Sequence, residues 1–394
     1  MRKRNDGKAM CQILPRPDER GIVMVVTLLA MVILVILGTV LMVTSLTENQ
    51  ISSNDAATIQ ALYVAEAGLQ TVLNDLNQGL SPSGSGTIGP GQFTASVVEV
   101  APPSGQKRIE VCGYAPNQAS ARGVKRLSVL VYRPSPFQWS AFGDTYMNLS
   151  GGGVTDSYDS DIGSYGGSNV GSHGDVRSNG NVDLSGFGTQ VRGDATAGTT
   201  VTDPWRVTGT ATNGAPLVNL PAADCPSGGY TSSVPSGAGI TYNSGTGDLS
   251  VTGGNNLTLS APGTYYFHDL SLLYYSTLTI SAGGHVDIFI AGTLDCTYGH
   301  IVNNSALPTN LSIWGCGTST DGWSLSGGSG AYLALYAPHH DVTLSGSGSL
   351  YGSVIGHTIS STGGSRFHYD EALARQPGIG KYIMAPRSWT ELSP

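Results

Sequence analysis

The chain has 394 residues, 55 of them glycine, with only 12% charged and 8% aromatic. That length leaves room for two or three domains, and so little charge excludes a coiled coil or an acidic disordered tail. The net charge of −8 becomes −11 once residues 1–21, with six Lys/Arg and three Asp/Glu, are set aside; no basic patch remains for phosphates, so nucleic acid is not an expected partner.

The first element is a helix over residues 22–79. Ile22 to Val43 is an uncharged apolar run of 22 residues without proline. A bilayer core needs about 20 apolar helical residues, so residues 22–43 are read as transmembrane. Arg2, Lys3, Arg4, Lys8, Arg16 and Arg20 precede the run and hold that end in the cytoplasm, which exports the rest. Residues 44–79 are amphipathic. Leu62, Ala65, Leu69, Val72, Leu73 and Leu76 recur on one helical face, and Gly79 suits the C′ position.

Residues 80–133 open with a Gly/Ser/Pro loop, Ser81 to Gly91. Three alternating runs follow, Gln92–Val100, Lys107–Tyr114 and Val124–Tyr132. They predict a small antiparallel meander packed on the helix. Residues 134–136, Pro-Ser-Pro, are a stiff linker.

From Phe137 short strands alternate with Gly-rich turns. Leu270, Leu278, Val286 and Leu294 are spaced by eight. This spacing predicts a parallel β-solenoid over residues 137–374, with a less regular, proline-bearing insertion at 201–254 and a short helical cap at Asp370 to Ala374. Residues 375–394 are a tail. The expected fold class is α+β then all-β, with a jelly-roll-like β-sandwich as the alternative to the solenoid.

Arg20-Gly21 followed by the apolar run resembles the processing site of type IV prepilins. Leu46 to Gln50 and Ala61 to Gln70, containing Ala65-Glu66-Ala67-Gly68-Leu69, resemble the N-terminal region of PilX-type minor pilins. The resemblance implies a leader, residues 1–21, cut between Gly21 and Ile22 by prepilin peptidase. It also implies N-methylation of Ile22 and packing of the helix against other pilin subunits. Major pilins carry a glutamate at the fifth mature position; here that position is Val26, which suggests a place at or near the tip. The stretches Asp156 to Ser160, Tyr336-Ala337-Pro338 and Phe367 to Leu373 resemble bactofilin-like solenoid modules, which implies a structural or surface-binding role.

Cys11 lies in the leader. Cys112, Cys225, Cys296 and Cys316 remain for an oxidising compartment. Cys296 with Cys316 would link neighbouring turns of the repeat and leave Cys112 with Cys225; four free thiols is the other reading. Asp156, Asp159 and Asp161 place oxygens at near-alternating positions, as a calcium site would. No nonapeptide repeat or EF-hand glutamate accompanies them, and Asp-capped turns give the same pattern. His339-His340-Asp341 and His368 to Glu371 lack the spacing of a zinc site. No cofactor is expected.

A tethered carbohydrate-active β-helix enzyme would need acidic groups with Arg/Lys in a groove, but residues 137–365 hold only Arg177, Arg192 and Arg206. The expectation is a non-enzymatic minor pilin or pilus-assembly component. It would pass from inner membrane to periplasm or pilus and present a head to a surface or host ligand. Tyr158, Tyr165, Tyr265, Tyr274 and Tyr275 are candidate contacts, with core packing the expected fate of most of them. The alternatives are a pseudopilin-like tip subunit of a secretion system, or a tethered surface protein that never enters a filament.

Overall fold

The computed structural model describes residues 19–100, 106–149, 151–318, 320–326, 330–376, 378, 383–385 and 387–392, with side chains from Val23. Residues 1–18, and with them Cys11 and most of the leader, lie outside the described residues.

One helix, α1, runs unbroken over Glu19–Asn77. Every residue from Val23 to Ala56 is exposed. Within the apolar stretch, hydroxyls fold back on their own helix. Thr27 donates to the carbonyl of Met24, Thr39 to Ile36 and Thr44 to Val40. No side-chain donor is left unpaired on that surface by these threonines, as hydrocarbon demands. At the other end the Leu80 N–H donates to Asp75 O and the Gly79 N–H to Leu76 O, with Gly79 at φ +69°. This double return is a Schellman stop, which needs glycine at the left-handed position.

The second half of α1 packs on an antiparallel sheet of β1 (Ser85–Ile88), β2 (Gly91–Glu99), β3 (Lys107–Ala115) and β4 (Gly123–Tyr132). Val64, Ala65, Leu69, Val72 and Leu76 meet Phe93, Ile109, Val111, Leu127, Val129 and Val131 in one core. The loop expected at 81–91 therefore contains a strand. The tail also differs from expectation: Ile383–Met384 and Thr390–Leu392 both pair antiparallel with β4. The large β region is thus inserted into this sheet, entering after β4 and returning to it.

In the inserted region the strands pair in parallel, turn upon turn, except Ile240–Asn243 with Asp248–Val251, which pair antiparallel. One turn comprises Gly263–Phe267, Leu270–Leu272 and Thr277–Ile280; the next comprises Val286–Ile290, Leu294–Cys296 and His300–Asn303. Leu270 pairs with Leu294, Leu278 with Ile301, and Val286 with Leu311. The eight-residue spacing is therefore one strand with its corner, and three strands make a turn. Alternate residues point inward, and Leu270, Leu278, Val286 and Leu294 are fully buried in a single core. A jelly roll would pair such strands antiparallel.

The order of turns in space is not their order in sequence. Residues 141–158 start mid-stack, and Val176, Ala195 and Ala211 continue outward to one end. Residues 213–239 then run back along the outside. Asn179 binds both the N–H and the carbonyl of Val218. Tyr336 donates to Pro221 O at 2.5 Å, and the Thr231 N–H donates to Tyr266 O. The chain re-enters at the far end and winds back until Val354 pairs with Ala141 and Phe367 with Thr155. Between residues 201 and 254 this strap is the irregular part. Val201 and Val207 bridge neighbouring turns, and Ile240–Asn243 pairs with Asp248–Val251, so the expected insertion at 201–254 is too wide. The helical turn expected as an end cap, Glu371–Arg375, lies at the mid-stack junction instead. There Ser135 donates to Leu373 O and Tyr369 to Phe137 O, so the Pro-Ser-Pro segment is packed rather than a free linker.

Candidate functional site

Gly21 and Ile22 sit in the first turn of α1, and Val26 is 57% exposed farther along the apolar face. In the pentad, Ala65 and Leu69 are buried against the sheet, Gly68 is buried too, and Glu66 and Ala67 are half-buried. A Cβ on Gly68 would lie 2.7 Å from Phe93 Cγ. Small residues here let helix and sheet approach closely. The sheet matches this with Gly113, whose Cβ would lie 2.1 Å from Ala61 O, and Gly123, whose Cβ would lie 2.3 Å from Ala57 O.

A column of side chains climbs one outer face of the stack. Tyr332 stacks on Tyr351 at 4.3 Å between centroids, and Tyr351 on His368 at 4.7 Å. His368 Nδ1 lies 2.5 Å from Asp156 Oδ1, and Arg192 stands 3.9 Å from the same carboxylate. Tyr165 closes over the column, its hydroxyl donating to Asp156 Oδ2 at 2.8 Å. His368 Nε2 lies 3.3 Å from Ser349 Oγ, which aligns a hydroxyl, an imidazole and a carboxylate. Tyr165 and Tyr351 both pack against the imidazole and against each other, and both His368 and Asp156 are buried. The imidazole and the carboxylate are therefore packed inside a joint between turns.

The partners of the aspartates favour the Asp-turn reading over calcium, and the Asp161 N–H donates to Asp159 Oδ1. Asp156 points inward to His368, while Asp159 and Asp161 both accept from Arg375, at 2.6 and 2.7 Å. A guanidinium occupies the place a cation would take, and its pKa rises through those two hydrogen bonds. His340 of the His-His-Asp run is fully buried and stacked on Trp323, and burial pushes its pKa down. Of the tyrosines proposed as contacts, Tyr158 is a core residue, whereas Tyr274 and Tyr275 are 70% and 72% exposed with φ of +53° and +61°.

The disulfide expectation is overturned as well. Cys225 is bonded to Cys316, with Cα atoms 5.8 Å apart, while Cys112 and Cys296 are free thiols. The reason is the strap: it carries Cys225 past the strand end at Cys316, whereas Cys296 points into the core. Burial raises the Cys296 thiol pKa and keeps it protonated.

Two cavities flank the aromatic cluster of Phe137, Trp314 and Tyr336. One, of about 480 Å³, lies between Pro134–Trp139 and the strap at Val218–Pro221. The other, of about 310 Å³, is lined by Phe137, Trp314, His285, Asp287, Ser312 and Gln376 among others. Trp314 Nε1 donates to Asp287 Oδ1 at 2.7 Å, and His285 Nε2 lies 3.0 Å from the same oxygen. None of these was singled out from the sequence. Asp287 and Ser312 lie opposite each other on adjacent turns, as do Phe289 and Trp314. Only the turn-to-turn register reveals that juxtaposition.

Comparisons with known proteins agree with the two-part construction. Residues 20–70 match the family model "PilX N-terminal". Residues 241–376 match a model described as a domain of unknown function (DUF7305), so the likeness to bactofilin-like modules finds no support. No curated protein matches. Among solved structures, the competence-associated pilin ComZ from Thermus thermophilus is similar at 12% identity, covering 85% of this chain and 97% of its own, with a TM-score of 0.25; so low a score does not equate the folds. What the comparisons establish is a chain whose first described helix is similar to the PilX N-terminal region, joined to a β-rich body.

Proposed function

We propose that the protein is a non-enzymatic minor pilin or pilus-assembly component of a type IV pilus system. The observation that carries this reading is the division of α1. Its first half exposes every side chain from Val23 to Ala56, and its second half is buried on a sheet, within the same 20–70 stretch that matches the PilX N-terminal model. Exposed Val, Leu, Ile and Met over more than 20 residues need lipid or other helices around them. The helix crosses the inner membrane before assembly, with its N-terminus cytoplasmic, and then packs against other pilin subunits.

On this reading prepilin peptidase cuts between Gly21 and Ile22, and Ile22 is N-methylated. Val26 stands where a shaft subunit has a carboxylate, and a subunit with no neighbour above it gains nothing from burying a charge there. That favours the tip. The stacked parallel turns are a β-solenoid head, held away from the membrane by the sheet and suited to adhesion or to priming assembly.

The test is the mass of the N-terminal peptide from membrane and sheared surface fractions. N-methylated Ile22 at the front of sheared material is the expected result. An intact leader found only in membranes would make the protein a tether that never enters a filament.

A further inference from the structure

The cavity beside Trp314 has the composition of a small-ligand site. Its aromatic wall is Phe137 and Trp314, 4% and 8% exposed, and its volume of about 310 Å³ falls within the range of ligand pockets. The polar wall is set by strand register, which places Asp287 beside Ser312 on the neighbouring turn. Ser312 is 6% exposed, lines the cavity, and has no hydrogen-bond partner for its hydroxyl among the described residues. Its oxygen is not one of the buried unpaired atoms, so it opens to the cavity, where water or a ligand can reach it.

The charges in the wall cancel. His285 lies between two acceptors, Thr309 O at 2.8 Å from Nδ1 and Asp287 Oδ1 at 3.0 Å from Nε2. Two acceptors favour two ring protons, and the charged form of the imidazole neutralises the carboxylate. Burial opposes that charge, and the hydrogen bond and charge of Asp287 outweigh it, so the pKa rises. Among the described residues no lysine or arginine lines the space. An anionic ligand has no countercharge here, and a cation finds Asp287 already paired. The remaining oxygen of Asp287, the Ser312 hydroxyl and the Gln376 amide offer both donors and acceptors beside an apolar wall of two rings tilted 48° to each other. A ring that is apolar on its face and hydroxylated at its edge matches both.

We infer that this cavity binds one ring of a neutral saccharide, packed against the exposed edge of Trp314 and Phe137 and hydrogen-bonded by Asp287, Ser312 and Gln376. The inference gives a ligand class to the adhesion reading of the head and in that sense rests on it. It is tested on purified protein, so its failure is distinct from failure of filament entry, which the N-terminal mass decides.

The full chain, held in a polyoxyethylene detergent that has no sugar headgroup, is titrated calorimetrically with neutral oligosaccharides of glucose, galactose and N-acetylglucosamine. Oligogalacturonate and choline chloride serve as the anionic and cationic probes. The expected result is binding of a neutral oligosaccharide, weakened about tenfold by Asp287→Asn and by Gln376→Ala, with neither charged probe bound. Gln376 is at the rim and Asn is isosteric with Asp, so both variants should keep the fold, which circular dichroism verifies. The inference is overturned if no neutral oligosaccharide binds the folded chain, if binding survives both variants unchanged, or if choline binds more tightly than any sugar.

Discussion

The imidazole of His368 meets the carboxylate of Asp156 at 2.5 Å although 212 residues separate them in the chain. His368 belongs to the last turn laid down and Asp156 to the first, so this contact lies at the seam where the permuted stack closes on itself. Asp156 also accepts from Tyr165 and faces Arg192. Removing one partner of a buried pair strands the other, at a typical cost of about 3–5 kcal/mol. Asp156→Ala should therefore lower unfolding free energy by about 3 kcal/mol in urea titrations followed by circular dichroism. Asp156→Asn, which keeps an acceptor for Tyr165, should lose less. Equal loss in the two variants would mean that the charge of the carboxylate, and not its acceptor for Tyr165, carries the seam.

The approach of α1 to its sheet makes the second prediction. A Cβ at Gly113 would come within 2.1 Å of Ala61 O and 2.6 Å of Ala65 N, both backbone atoms that cannot rotate away. Gly113→Val should cost about 2 kcal/mol or more by forcing helix and sheet apart. Gly84→Ala, whose nearest neighbour would be 3.9 Å away, should leave the thermal midpoint unchanged. A destabilised Gly84→Ala with a stable Gly113→Val would reverse this account of the interface.

What could be read from sequence followed how local each feature is. The helix from an uncharged run, its stop at Gly79 and the eight-residue period from Leu270 to Leu294 are all set by neighbours within a turn or two, and the pattern shows them directly. Pairing of Val354 with Ala141, return of the tail to β4 and the bond from Cys225 to Cys316 join distant segments. Parallel pairing leaves no mark on either strand that names its partner. The aspartates at 156–161 illustrate the same limit. Their spacing suited calcium, but Arg375, the residue that decides their fate, lies far along the chain.

The thiols give a third prediction. Peptide mapping under non-reducing conditions should recover Cys225 linked to Cys316. Cys112 should react with an alkylating reagent in the native protein, because it is half-buried on the outer face of β3, whereas buried Cys296 should react only after unfolding. Cys225→Ser should destabilise by about 2–4 kcal/mol, since the bridge ties the strap across the stack. Recovery of a Cys296–Cys316 peptide from native protein would displace the strap from its position.

His340 yields the last prediction. Its ring nitrogens are buried without a well-formed hydrogen bond, and the ring stacks on Trp323 at 4.7 Å between centroids. Burial lowers its pKa; the backbone and charge of Asp321 and the charge of Asp341 oppose the shift, and His339 adds to it. A lowered pKa means that the unfolded chain binds this proton more readily than the folded one. The stability tied to His340 is therefore complete above the ordinary value of 6.5 and is lost as pH falls through that value toward the folded pKa. His285 runs the other way: its raised pKa gives stability present below 6.5 and lost as pH rises through the folded value. The two are separated by comparing wild type with His340→Phe, which keeps a flat ring against Trp323. The difference in unfolding free energy between the two proteins should shift towards the variant as pH falls from 7 to 5, by at most about 1.4 kcal/mol per pH unit, the limit for one proton. Parallel pH profiles for the two proteins would show that His340 does not titrate between the folded and unfolded states in this range.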